Sequence, residues 1–511
     1  MIDPGWYATR QTVPPPLEGA ALPRRGELGW TAWPLRVWPL DPLARAPRRV
    51  VFLTFGVGMI GTALWRPTTL SVGYVLVGVM VFAVVYGTAD RRPTRAEWLG
   101  ATLTLALLAV PALLAARWLG VLCIMAAWLV GWCTLVGGRT WTAVFVAPFM
   151  PWALPYRVAG WAWRASSELV PRGVGLPKLG RAAAVAAISA ALVGIFGGLF
   201  AAADPAFAHV VERLVPALDT MDVIARVMVL GIVVVFALSG GYLMHFAPRL
   251  DALAPAPMRP IPRWEWAVPL GVLDALFVLF VAVQATVLFG GHDHVLETEG
   301  LTYAEYARQG FWQLLWVSAL TLLVISVVIR VAGRDAAADR RLLRILVGTT
   351  CLTSVVVVIS AIHRMWLYQQ AYGFSVQRVM VIAIESWLGV VFVLVAVAGM
   401  GMTGRWLPRA VLTAGVLTLL GLAAINPERL IAEWNVDRYE QTGSLDADYL
   451  LSLSSDVEPV LARLPESMRQ CARYRDDVRD PWYEFNLSRV TASHDGTPRG
   501  DECREYWTPG S

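Results

Sequence analysis

An all-α, polytopic transmembrane helix bundle is the fold class that the 511-residue sequence predicts, and three observations carry the expectation. Hydrophobic residues make up 57% of the chain and charged residues only 16%, against about 25% charged in a soluble globular domain. Eleven apolar runs approach the roughly 20 residues that cross a bilayer. Arginines gather in alternate connections between those runs, as the positive-inside tendency requires.

The elements follow in order. Residues 1–49 form a Pro- and Arg-rich segment that begins on the cytosolic side. The first long run starts only near Val50, so no cleavable leader is expected. The spans are expected near 50–66, 70–88, 98–116, 118–136, 182–203, 226–247, 266–290, 309–330, 345–366, 379–402 and 408–425, and together define a membrane domain over 50–425. Connections carrying Arg91, Arg92 and Arg95, Arg139 to Arg181, Arg249 to Arg263, Arg334 to Arg344, and Arg405 and Arg409 fall inside. The outside connections are acidic or nearly uncharged, as at Asp219 and Asp222.

One apolar piece, WTAVFVAPFMPWALPY at 141–156, breaks the alternation. It is short, both flanks are basic, and Pro148, Pro151 and Pro155 each remove a helical donor. A re-entrant or interfacial element fits better than a span. After Ile425 the chain turns polar. Asn426 and Pro427 make an N-cap and first-turn pair, and Asp446 starts a second short helix. Residues 426–511 are expected as a small helical extracytosolic tail, so the protein is a multi-pass cell-membrane protein with its N-terminus in and its C-terminus out.

Ionisable groups inside spans are costly and are functional candidates by default. Asp274 and Glu385 stand out, with Gln284 and Arg364 as intramembrane polar companions. Asp274 is either a protonatable or cation-coordinating carboxylate, or a structural hydrogen-bonding group facing Tyr242 or His245 on the preceding helix. In RMWLYQQAYGFSVQR, residues 364–378, Arg364, Tyr368 and Tyr372 recur on one helical face and Gly373 supplies the turn. Ser375 then caps the returning helix, which carries Arg378 down to Glu385. Arg364 and Glu385 lie roughly 14 and 17 Å below the turn at 1.5 Å per residue. They are therefore expected to pair, with Arg378 as the rival partner for Glu385.

His292 and His294, in the outer loop GGHDHVLETEGLTYAE, are weak metal candidates, because imidazole and carboxylate suit a transition metal but the glycine-rich setting equally suits a solvated loop. Cys471 and Cys503, the two thiols in the polar tail, form a disulfide candidate if the tail faces an oxidising exterior.

LTYAEYARQGFWQLL at 301–315, RMWLYQQAYGFSVQR, and NVDRYEQTGSLDADYLLSLSSDVEPVL at 435–461 together resemble an uncharacterised family of bacterial polytopic membrane proteins, the domain of unknown function 4173 type. The resemblance covers about 180–465 and implies a membrane bundle with no assigned activity. The Ala, Val, Gly and Arg bias also reads as the product of a GC-rich bacterial genome.

No Gly-rich phosphate loop, Cys-pair zinc signature or nucleophile elbow occurs, so no cofactor and no catalytic residue is assigned. A lipid-phosphate glycosyltransferase is the enzymatic alternative, but the first outer loop, RPTT, lacks the acidic residues such enzymes hold there. The net charge of +5 is topological and points to no nucleic acid. The expected partners are the bilayer and a candidate protein on either face. A transporter or channel-like protein for an ion or small solute is the favoured expectation, and a sensor or scaffold acting through a partner is the second.

Overall fold

The computed structural model describes residues 46–66, 69–166, 220–254, 258–289, 311–401, 404–443, 445–465 and 481–492, with scattered positions between 185 and 207. Helices α1 (Arg48–Leu64), α2 (Gly73–Gly87), α3 (Arg95–Leu113) and α4 (Arg117–Val136) lead to a broken stretch. This comprises α5 (Trp141–Val146), a 3-10 turn at Ala147–Phe149, α6 (Met150–Ala153) and α7 (Pro155–Ser166). Then come α8 (Thr220–His245), α9 (Arg263–Phe289), α10 (Phe311–Val331), α11 (Ala337–Tyr372), α12 (Val376–Gly401) and α13 (Leu407–Ala424). A cap of short helices closes the order: α14 (Pro427–Thr442), α15 (Ala447–Ser452), α16 (Glu458–Leu461) and α17 (Leu487–Thr491).

Among the described residues, eight helices are long and apolar enough to cross a membrane: α3, α4, α8, α9, α10, α11, α12 and α13. The expected spans at 50–66 and 70–88 are shorter helices of 17 and 15 residues. The expected span at 182–203 lies largely outside the described residues. Apolar side chains such as Phe52, Val272 and Leu352 stay exposed along the helices, as a lipid-facing surface requires.

Helices α1, α2 and α8 pack together, as do α9, α10, α11 and α12, while α13 joins α12 to α3 and α4. Glycine permits one tight approach: a Cβ on Gly73 would lie 2.2 Å from the Leu64 carbonyl oxygen, so the turn between α1 and α2 admits no larger residue without moving backbone. Parallel α9 and α11 keep one register throughout. Arg263 meets Asp339, Asp274 meets Thr350, and Gln284 meets Ser360, each pair 76 residues apart.

The arginine-rich turns knit into one end of the bundle. Arg409 donates to the carbonyls of Gly137 and Gly138 at 2.7 and 3.2 Å, capping the left-handed end of α4. Asp251 accepts the amides of Arg139 and Thr140, both at 2.9 Å. Burial alone would raise the Asp251 pKa, yet these amides, the Thr140 side chain and the Arg409 charge hold it below the usual carboxylate range. Arg91 forks onto Glu97, the third residue of α3 and the partner of Thr94 in its capping box.

The broken stretch belongs to the same end. Its start is tied through Thr140 to Asp251, and the Trp161 carbonyl in α7 accepts the Ala46 amide just before α1. Its prolines divide it as the sequence predicts, and Phe145, Phe149, Trp152 and Trp163 remain exposed. Such an aromatic row suits the headgroup region of a membrane.

The opposite end is covered by the cap. Asn426, the only non-glycine residue with positive φ among those described, caps α14 by accepting the Arg429 amide, and Asp446 caps α15 by accepting that of Tyr449. The cap then grips three hairpin turns. At the first, Glu484 pairs with Arg66 at 3.1 Å, the Phe485 carbonyl accepts the Val72 amide, and Arg489 donates to Leu70. At the second, Asp456 accepts the amides of Ala115 and Ala116 at the start of α4, and Asn486 donates to Pro111 and Leu114. The third is the tip of RMWLYQQAYGFSVQR.

Candidate functional site

That stretch forms the end of α11, the turn at 373–375 and the start of α12. Gly373 has φ +82°, as the expected turn residue requires, and α12 starts directly after Ser375. Asn435 of the cap holds the tip with a double hydrogen bond, accepting the Phe374 amide at 3.1 Å and donating to its carbonyl at 3.0 Å. The Tyr449 hydroxyl accepts the Val376 amide at 2.7 Å, and burial pushes its own pKa up. Trp366, Phe374 and Trp434 interlock, the last two with ring centroids 4.3 Å apart. Asn435 and Tyr449 both lie in the family-like stretch 435–461, but nothing in its pattern named the tip as their partner.

Below the tip runs a buried polar seam between α9, α11 and α12. The Thr350 hydroxyl donates to Asp274 Oδ1 at 2.6 Å, while Oδ2 receives no hydrogen bond from a described residue. Neither Tyr242 nor His245 is the Asp274 partner. His245 instead faces Asp90 at 3.1 Å at the arginine end, and the true partner lies on α11, two spans further along the chain. Ser354, one turn above Thr350, is buried with its hydroxyl unpartnered among the described residues.

About ten residues toward the cap, Gln284 Oε1 accepts from Ser360 at 3.0 Å and from Arg364 Nη2 at 2.7 Å. The expected pairing of Arg364 with Glu385 is therefore replaced by one with Gln284. The depth estimate places the two charges nearly level, but not which way each points. Met365, the next residue on α11, packs against Val381 of α12, and a helix turns about 100° per residue. Arg364 is consequently turned toward α9.

Arg378 does not reach down to Glu385 either. It donates to the carbonyls of Tyr372 and Gly373 and lies 4.4 Å above the Tyr368 ring, which meets the Tyr372 ring at a tilt of 42°. The carbonyls at the end of α11 lie beside Arg378 across the turn and lack helical partners, whereas Glu385 lies two turns deeper on α12. Glu385 is left 1% exposed with neither carboxyl oxygen hydrogen-bonded among the described residues. Gln369, nearer the tip, is equally buried with both amide atoms unpartnered. Native interiors leave few such groups, and each one calls for an explanation.

His292 and His294, and Cys471 and Cys503, lie outside the described residues. Two clefts lie apart from the seam, against α3 and α13. One of about 380 Å³ opens at the arginine end, lined by Thr94, Thr134, Arg139 and Arg409. One of about 550 Å³ lies under the cap, between Val110 and Leu113 of α3 and Leu420 and Ala424 of α13.

The fold and seam define a polytopic helical membrane protein with polar groups sealed into its span interior. A family model described as Domain of unknown function (DUF4153) matches residues 101–464, and the chain belongs to that family. The match corrects the family number suggested by the sequence resemblance and starts some 80 residues earlier than that resemblance did. No curated protein and no solved structure matches the chain.

Proposed function

We propose that this protein is a transporter or channel-like protein for an ion or small solute, with the seam between α9, α11 and α12 as its working part. The observation that carries the reading is Glu385: a carboxyl group fully buried inside a span with neither oxygen hydrogen-bonded among the described residues. Such a group stabilises nothing where it sits, and intramembrane carboxylates of this kind mark ion and proton pathways. Asp274, with one oxygen held by Thr350 and one unpartnered, is the second member, about 17 Å deeper along the bundle. In this reading the arginine end faces the cytosol and the cap lies outside in a cell membrane, by the positive-inside tendency.

A second reading has its own support. The cap holds the tip between α11 and α12 through Asn435 and Tyr449, so a ligand or protein bound to the cap would act on that hairpin directly. A sensor or scaffold would use this connection without moving solute. Flux measurements on the full chain in proteoliposomes, across monovalent cations, protons, anions and small neutral solutes, separate the two. Transport that is lost in Asp274→Asn supports the first reading, and no flux of any class supports the second.

A further inference from the structure

The contacts between α11 and α12 fix what surrounds Glu385. Val381 packs on Met365, and the position of a Cβ on Gly389 would lie 3.3 Å from Val358. In an antiparallel pair these two contacts set Glu385 opposite Ala361 and Ile362. Its helix face is shared with Val381, Gly389 and Phe392, and Ala361 belongs to an apolar cluster with Val357, Phe277 and Leu314. The carboxyl group therefore points into hydrocarbon packing.

Among the described residues, the charged groups of the surrounding elements are engaged elsewhere or distant. On α11, Arg364 donates to Gln284, and His363 is exposed on the side away from α12. On α12, Arg378 bonds the turn carbonyls. On α13, Arg409 bonds Gly137 and Gly138 at the far end, and Arg330 of α10 lies at that end too. Asp274 of α9 is bonded to Thr350. From the cap, Arg438 approaches Gly373 rather than the span interior.

We propose that Glu385 is a proton-binding site: it is the neutral acid in the arrangement described here, and losing its proton is coupled to Arg364 exchanging Gln284 for the Glu385 carboxylate. The proposal rests on the transport reading for what the proton drives, though the site itself does not. An ionised carboxylate cannot remain in that packing without a cation or donors. Arg364 is the cation within reach. It sits only about two residues, roughly 3 Å, nearer the cap, and a quarter turn around α11 from the face that meets α12. In the step, the acid O–H bond breaks, the proton passes to solvent water, and Arg364 stays charged while changing acceptor. Gln369 lies on the same face of α11 as Met365 and about 10 Å nearer the cap, so the next polar group leads outward.

The test is infrared spectroscopy of the full chain in lipid nanodiscs, titrated from acid to alkaline pH in water and deuterium oxide. A protonated-carboxyl band that persists at neutral pH, vanishes in Glu385→Gln and survives in Asp274→Asn is expected. Glu385→Asp should shift the band without removing it, which guards against a variant that has merely misfolded. Arg364→Met should move the loss of the band to higher pH, since the ionised form loses its cation. A neutral-pH band untouched by Glu385→Gln, or a midpoint indifferent to Arg364→Met, would overturn the proposal. Proton flux measured on the same samples separates the two claims. A Glu385 band without any flux keeps the proton site and removes the transport reading, whereas flux with no Glu385 band does the reverse.

Discussion

The cap and the seam use the same kinds of side chain to opposite ends. In the cap, Asp456, Glu428, Asn435 and Asn486 are buried or half-buried; the first three accept backbone or indole N–H groups, and Asn486 donates to the carbonyls of Pro111 and Leu114. In the seam, Glu385, Gln369, Ser354 and half of Asp274 are buried without a partner among the described residues. A buried polar group that closes a hydrogen bond contributes to stability, and one left open costs it. The contrast teaches that the polar groups of the cap help to hold the bundle, whereas the open groups of the seam cost it stability.

Substitutions can break that contrast. The largest expected loss is at Asp456→Ala, which leaves the amides of Ala115 and Ala116 unsatisfied at the start of α4. Bonds to a charged acceptor are worth about 1.5–3 kcal/mol each, so about 3 kcal/mol should disappear, read as a lower unfolding midpoint in denaturant titration. Asn435→Ala removes two bonds to Phe374 and should cost about 2 kcal/mol, with faster amide exchange confined to the tip at 372–376. Thr350→Val removes one donor to Asp274 and should cost about 1 kcal/mol, because Asp274 Oδ1 is then left open as well.

The smallest effect belongs to the arginine end. The Asp251 pKa is lower folded than unfolded, so its contribution is present above the ordinary Asp value near pH 4, at about 3.9, and fades as pH falls through the lower folded value. Asp251 is solvent-exposed, which screens the effect. Amide exchange at Arg139 and Thr140 should accelerate over that acidic window and become insensitive to it in Asp251→Asn.

Much of the fold was legible because it rests on local signals. Span length and arginine placement give the helices and the common end of their basic turns, and Asn426, Asp446 and Gly373 do what their residue types favour locally. The three prolines break 141–156 as their missing donors demand. The seam was legible as a set of residues, Asp274, Gln284, Arg364 and Glu385, but not as pairs. Partners there depend on α9 and α11 running parallel in constant register, which no single helix encodes. Depth along a helix follows from counting, whereas direction around it follows from neighbours, and that is why Arg364 meets Gln284. The cap contacts were illegible for a similar reason: Asp456 meets Ala115 across 341 residues of chain.

Thermal unfolding of Glu385→Gln and Asp456→Asn, side by side with the parent protein, tests the difference between seam and cap most directly. Glutamine is close in shape to the neutral acid, so the account predicts that Glu385→Gln melts with the parent or slightly above it, while Asp456→Asn melts a few degrees lower. A fall for Glu385→Gln as large as that for Asp456→Asn would contradict it, because Glu385 would then be holding the bundle together.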